Sequence, residues 1–399
     1  MASPMAKKLH IVGNTNPSAN QFAKRAGRGK FVGGILRQTR EMARCLSWEK
    51  RLTIIDTHPS ARGMSIDGRM TRHTLPLLET LKTRNPNDIY MEVESLDEVK
   101  SRFEPMVMEM AKIVKDADVV MLGGTYFVPW ALLQAARMHN KPTVLSYAGV
   151  LSMEIKHLPE KIQSVLRLME QDFYDPGISY IFPSKLARDT ARSIFGREIP
   201  DSEVIYNGVP AEFLAAKGPS EKTVPIAFVG RNTPVKNPDF LLKLADALKE
   251  RGSRHRIHMV TRIDDPADGL IRELRGRGGA IIEPLGTPEL AEFYRSASIV
   301  ISPSHFETFG NVPLEAVSSG TPALISPSMG VSEVFLDFGI GEYVNGFGDP
   351  YAIAERAERA IRDKESVPEH VRQRIRDELS WPRVISRYLE VCTRAVEGK

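Results

Sequence analysis

The chain has 399 residues, of which 42% are hydrophobic and 26% charged, with two cysteines and a formal net charge of +4. That composition excludes a disordered or fibrous chain and a disulfide scaffold, and the length exceeds one comfortable core, pointing to two domains of roughly 200 residues each. The charge is too mild to imply nucleic acid as a partner, and neither Cys45 nor Cys392 has metal or redox spacing, so both are read as packing residues of a protein in a reducing cytoplasm.

The opening MASPMAKKLHIVG runs from a basic pair straight into a strand-like segment, so no signal peptide is expected and the mature chain is expected to begin at or near Met1. Residues 1–40 hold no acid but carry Lys7, Lys8, Lys24, Arg25, Arg28, Lys30, Arg37 and Arg40, and with Arg44 the last arginines share one helical face. Two readings stand: a solvated face, or contact with an anionic acceptor, including peripheral contact with an inner membrane surface. Short apolar runs then alternate with amphipathic stretches, the pattern of parallel strands joined by helical crossovers. Strands are predicted at 9–12, 52–55, 119–122, 143–147 and 180–182, with helices over 34–46, 96–115 and 159–173. Residues 119–136 lack charge, but Gly123, Gly124, Thr125 and Pro129 break the run into strand, loop and helix and not a membrane span. Residues 207–223, rich in small residues, Gly and Pro, read as a linker. A second series follows, with strands predicted at 226–229, 257–260, 280–282, 299–302, 323–325 and 341–344. The fold class is therefore α/β, with two doubly wound parallel sheets over 1–206 and 224–378 and a helical segment within 379–399.

Open parallel sheets bind ligands beyond the carboxyl ends of their strands, so two facing domains would line a central cleft. After Val229 come Gly230, Arg231 and Lys236, before a helix that Asn237 is expected to cap and Pro238 to begin. A guanidinium and an ammonium beside a helix start can neutralise a diphosphate. Further on, HFETFGNVPLEAVSSG sets Glu307 and Glu315 with seven residues between them. Pro313 suits a first helical position and Gly320 a left-handed stop, predicting a helix over 312–319 with Glu315 in its first turn and Glu307 on the approach. Unpaired amides at that helix start suit phosphate or sugar oxygens. Taken alone, the two acids would be a dipole partner and a solvated loop residue; the cations in the same half favour a shared anion site.

These residues resemble the retaining GT-B glycosyltransferases, in particular glycosyltransferase family four, the glycosyl transferases group 1. The likeness rests on FVGRNTPVK, on PLGTPELAEFYRSASIVISPSHFETFGNVPLEAVSSGTPALI, on GVSEVF and on EYVNGFGDPYAIAERAERAI; the first half adds the Gly33-Gly34 pair, FPSKLARD and VIYNGV. The resemblance implies two Rossmann-like domains facing a central cleft, the first on the acceptor side and the second binding a nucleotide sugar, with the C-terminal helix crossing back to the first. It implies transfer, with retention, of a hexosyl group from a UDP-sugar or GDP-mannose to an acceptor hydroxyl. The nucleotide diphosphate sugar is then a co-substrate and no cofactor or metal is required. The acceptor, whether sugar, small molecule or lipid-linked, stays open. Arg231 and Lys236 resemble the cations that stabilise the leaving diphosphate, Glu307 the glutamate that holds donor-sugar hydroxyls, and Glu315 the one that grips the ribose. Gly230 belongs to the same cation loop. Amides of Phe309, Gly310, Asn311 and Val312 would cradle sugar and phosphate oxygens, Leu285 and its neighbours would lie against the base, and Gly33 and Gly34 would admit phosphate and acceptor. The chain departs from the family at Tyr147-Ala148-Gly149, where members often have a histidine, at Lys236-Asn237 in place of lysine-glycine, and at TRIDDPAD in place of a glycine-rich loop.

Other motifs compete with this reading. Asp116 and Asp118 imitate a metal-binding pair but precede a strand; Asp264, Asp265 and Asp268 suit a helix cap better than a metal; and the glycines at 27–33 come too late after the first strand for a dinucleotide turn. His58 and His305 are read as structural or solvated. The alternatives within reach are a nucleotide-sugar epimerase or hydrolase on the same fold, and a nucleotide-sugar-binding protein without catalysis.

Overall fold

The computed structural model describes residues 9–15, 34–46, 50–215, 220–263 and 268–398; at 34–37, 86 and 87 it describes the backbone alone. Gly33, the lysines and arginines at 7–30, Asp264 and Asp265 lie outside the described residues.

The chain forms two compact units: Met1–Pro183, Ala187–Ile205 and Val384–Lys399 in the first, Ser184–Leu186 and Tyr206–Arg383 in the second. In the first, β1 (Leu9–Asn14), β2 (Lys50–His58), β3 (Gly63–Asp67), β4 (Met70–Pro76), β5 (Val119–Gly123), β6 (Thr143–Ser146), β7 (Ile178–Phe182) and β8 (Ser202–Val204) make one sheet in the order 3-4-2-1-5-6-7-8. All its pairings are parallel except β3 with β4. The central strands β5, β6 and β7 are buried at every residue, as strands covered on both faces should be, which explains their unbroken apolar runs. The hairpin β3–β4 was not legible because β3 is exposed at all five positions and so has no core-facing alternation to announce it.

In the second unit, β9 (Val224–Val229), β10 (Ile257–Val260), β11 (Ala280–Ile282), β12 (Ala297–Ser302) and β13 (Ala323–Ile325) form a wholly parallel sheet in the order 11-10-9-12-13. Strand order reverses between β9 and β12, so the connections after them depart to opposite sides and leave a crevice at their carboxyl ends. The strand expected at 341–344 is instead a 3-10 turn, Gly341–Tyr343, with a single bridge from Val344 to Ile325. Ile340 and Tyr343 are apolar because they pack into the core, not because they pair along a ladder.

The segment expected to be a linker is folded in its described parts. Val209 and Phe213 are buried, Val209 donates its amide to Leu379 O at 2.8 Å, and the Lys222 ammonium donates to Arg295 O and Ala297 O at 2.9 and 2.7 Å. Small residues there meet a close neighbour: a Cβ on Gly208 would strike the Trp381 ring. The helix Trp381–Glu397 begins in the second unit and continues into the first. There Ile385, Tyr388 and Cys392 are buried, and Arg387 and Arg394 both pair with Glu203, at 2.8 and 2.7 Å. Among the described residues no helix is long and apolar enough to cross a membrane. On the basic helix Gly34–Cys45, Arg44 pairs with Glu41 at 2.7 Å.

Candidate functional site

The loop after β9 and the loop after β12 are fastened to each other at the crevice of the second sheet. His305 donates its amide to Val235 O at 2.9 Å, and the Asn237 amide side chain donates to Pro303 O at 3.2 Å. Between these two ties the Lys236 ammonium meets the Glu307 carboxylate at 2.7 Å, with 21% and 15% of the side chains exposed. Asn237 was expected to cap the next helix; it does not, since the helix starts at Phe240 and Asn237 sits in the left-handed region at φ +51. Asparagine is among the few non-glycine residues that take this conformation readily, so it makes the bend while adding a side-chain bond that glycine would lack.

Glu307 is held from both ends. Its second oxygen accepts from the Ser304 hydroxyl at 2.7 Å, its amide donates to Ser328 O at 3.1 Å, and its carbonyl accepts from Gly330 N at 3.0 Å. Gly330 has no room for a side chain, because a Cβ would overlap Thr308 O and the Ser184 hydroxyl. Ser184 donates to Thr308 O at 2.6 Å, and Glu333 caps the adjoining amides of Lys185 and Leu186 at 3.0 and 2.8 Å. Sequence reading quoted these serine and glutamate motifs only as resemblance; their role as braces of the Glu307 loop appears only when 184, 308 and 333 come together.

The helix after this loop is Asn311–Ser318, one residue earlier than expected, so Pro313 is its third residue, still where a missing N–H costs nothing. Gly310 precedes it at φ +105; a Cβ there would lie 2.7 Å from Met329 Cε and 3.8 Å from Glu307 Oε2. Glu315 is therefore in the second turn, not the first. It is 3% exposed, and Tyr294 of the helix Thr287–Ser296 donates its hydroxyl to it at 3.3 Å. Phe309 turns its ring into the core, stacked on Tyr206 with centroids 6.0 Å apart, so only its backbone remains for a ligand. Asn311 accepts from the Asn207 amide at 2.9 Å. Arg231 is exposed, Gly230 and Val312 are half-buried, and Leu285 half-packs on the core in the loop before helix Thr287–Ser296. Gly34 opens the first helix of the first unit. Asp268 caps the helix Gly269–Gly276 through Ile271 N at 3.2 Å, and Asp118 accepts from His10 N at 2.7 Å, so each has a structural occupation.

Residues 211–378 match the family model of the glycosyl transferases group 1. The matched stretch lies within the second unit, which is thus similar to the glycosyl transferases group 1. The D-inositol 3-phosphate glycosyltransferase of Kribbella flavida is 33% identical over 184 residues, covering 41% of this chain and 43% of that protein. The protein of the same name from Nocardiopsis dassonvillei is 33% identical over 224 residues, 51% of each chain. The chain thus spans about half the length of the curated relatives it matches. Among solved structures, a sucrose-phosphate synthase from Thermosynechococcus elongatus superposes with TM-score 0.73 at 13% identity, covering 98% of this chain and 100% of that one. A glycosyltransferase from Rickettsia africae gives 0.66 at 16%, covering 99% and 100%. The likeness extends through both units, and the fold is GT-B. The Lys236–Glu307 pair and the Gly310 bend fall inside the matched region.

Proposed function

We propose that the protein is a retaining glycosyltransferase that moves a hexosyl group from a nucleotide diphosphate sugar to an acceptor hydroxyl. The observation that carries this reading is the Lys236–Glu307 contact at the strand-order reversal of the second sheet. Without a donor the two charges neutralise each other. A diphosphate would draw the Lys236 ammonium, and the Arg231 guanidinium of the same loop, and so release Glu307 to accept from sugar hydroxyls. In transfer the bond from the sugar carbon to the diphosphate oxygen breaks, the bond to the acceptor oxygen forms on the same face, and the acceptor proton passes to the departing diphosphate. Negative charge grows on that leaving group, so fixed cations there favour the transition state over the bound donor. Glu307 is a positioning acid in this scheme, not a nucleophile.

The similarity to D-inositol 3-phosphate glycosyltransferases supports a phosphorylated polyol as the acceptor to try first, and the assay decides the donor base. The test is incubation of the pure protein with UDP-, GDP- and ADP-sugars, each with and without D-inositol 3-phosphate, glucose 6-phosphate and their unphosphorylated forms. Acceptor-dependent nucleotide release, with the donor's anomeric configuration kept in the product by NMR, supports the proposal. Sugar conversion without acceptor indicates an epimerase or hydrolase, binding without turnover a carrier, and an absence of calorimetric heat with every nucleotide sinks the diphosphate site itself.

A further inference from the structure

Among the described residues of the first unit, one buried glutamate is used by none of these roles. Glu170, on the helix Glu160–Asp172, is fully buried, and both its oxygens accept bonds. One accepts from the Tyr147 hydroxyl at 2.8 Å and Leu151 N at 2.7 Å; the other from Ser152 N at 2.8 Å and from the Ser152 hydroxyl. All four donors belong to residues 147–152, the loop that leaves the carboxyl end of β6. Leu151 and Ser152 open the four-residue helix Leu151–Glu154, whose own flanking residue supplies no side-chain cap, so Glu170 satisfies those amides from a neighbouring helix. On its other side the loop is pinned by Thr125, which follows β5 and donates its hydroxyl to Gly149 O at 2.8 Å. Between the two anchors Ala148 and Gly149 are half-exposed and carry almost no side chain.

A buried carboxyl is tolerated only when its oxygens are met by donors, and here these four donors all come from one loop. That loop lies beyond a strand's carboxyl end, one strand from the reversal between β1 and β5, where an open parallel sheet receives its ligand. We propose that Glu170 is a positioning residue that holds loop 147–152 so that its half-exposed Ala148–Gly149 backbone is presented to the acceptor. This rests on the glycosyltransferase reading above. A Cβ on Gly149 would come 3.0 Å from Glu154 Oε1, so the Glu154 carboxylate lies over this stretch, and Glu170 sets the loop's shape from behind without touching the acceptor.

Glu170→Gln in the full chain keeps the side chain's size but turns one accepting oxygen into a donor facing N–H and O–H groups. The acceptor KM should rise about tenfold, since misplacing a binding element by a fraction of an ångström has effects of that order, while donor KM and nucleotide Kd stay within about twofold. Hydrogen exchange at Leu151 and Ser152 should quicken without a general increase across the unit. Ser152→Ala, which removes one bond of the four, should give about a threefold rise in acceptor KM by the same logic, and it decides the matter if the Gln variant does not fold. Donor and acceptor KM rising together, or unchanged exchange at 151 and 152, overturns the proposal. Wild-type protein that turns over no donor with any acceptor defeats the parent reading instead, and the exchange measurement still reports whether Glu170 holds the loop.

Discussion

The two sheets reverse strand order in the same way, yet the two reversals are furnished in opposite fashion. In the first unit the carboxyl ends of β1 and β5 are stitched by a neutral group: the Asn14 side chain, 2% exposed, accepts from Gly123 N at 2.9 Å and donates to Gly123 O at 3.1 Å. In the second unit the corresponding ends of β9 and β12 send out loops that meet through an ammonium and a carboxylate. Topology provides the crevice in both cases. The residues placed in it decide whether the strand ends are tied by a neutral bond or send out charges able to exchange partners with a ligand.

The sharpest way to break this comparison is to remove the charges. Lys236→Ala and Glu307→Ala should each lower turnover by about a hundredfold to a thousandfold, the scale of losing one preorganised electrostatic contact to a leaving group or reacting sugar. Their melting temperatures should move little, because a partly exposed ion pair contributes only about 1 kcal/mol. Near-normal turnover in both would overturn the assignment. Asn14→Ala should do the reverse. It leaves the Gly123 amide and carbonyl without that partner, which costs about 1–3 kcal/mol of stability by urea denaturation, while calorimetric nucleotide affinity holds. A large loss of nucleotide affinity would mean the first unit also reads the diphosphate.

A smaller effect separates the two glutamates of the second unit. Tyr294→Phe deletes the hydroxyl that orients buried Glu315 and should weaken nucleotide binding about fivefold to tenfold, near 1 kcal/mol, with kcat spared. An equal drop in kcat would show that the bond shapes the reacting centre. Smaller again is a pH effect away from the site. Burial would raise the Glu365 carboxyl, but the Arg356 fork at 2.7 and 2.8 Å and the Tyr343 hydroxyl more than offset it and hold it below the ordinary value. A group depressed in the folded state contributes stability above its unfolded pKa and loses it as pH falls through the folded one. Acid should therefore destabilise the second unit, and Glu365→Gln should flatten that part of the curve of melting temperature against pH.

Much of this molecule could be read before folding it. Buried parallel strands such as β5 and β12 carry their apolar character at every residue, so their positions were legible to within a residue or two. The places of Lys236 and Glu307 in loops after strands were legible because a strand end and a helix start each leave a local mark, whereas Gly310 entered through the family resemblance and its left-handed bend came only with the fold. The hairpin β3–β4 left none, since β3 is exposed throughout and β4 is buried only at its end, and the segment at 341–344 misled because packing and pairing both favour residues such as Tyr343 and Val344. The helix at 311 started one residue early, which moved Glu315 a turn inward and out of solvent.

Local patterning, then, determined the α/β class, the two sheets, the order of their loops and the residue types at the second crevice, because period and composition act over a few neighbours. Only the tertiary structure decided which of those residues meet. Lys236 finds Glu307, Tyr294 finds Glu315, Gly330 closes on Thr308 and Glu170 gathers a loop about twenty residues upstream, since each contact joins segments whose approach depends on how the sheets wind, and no stretch of sequence records that by itself.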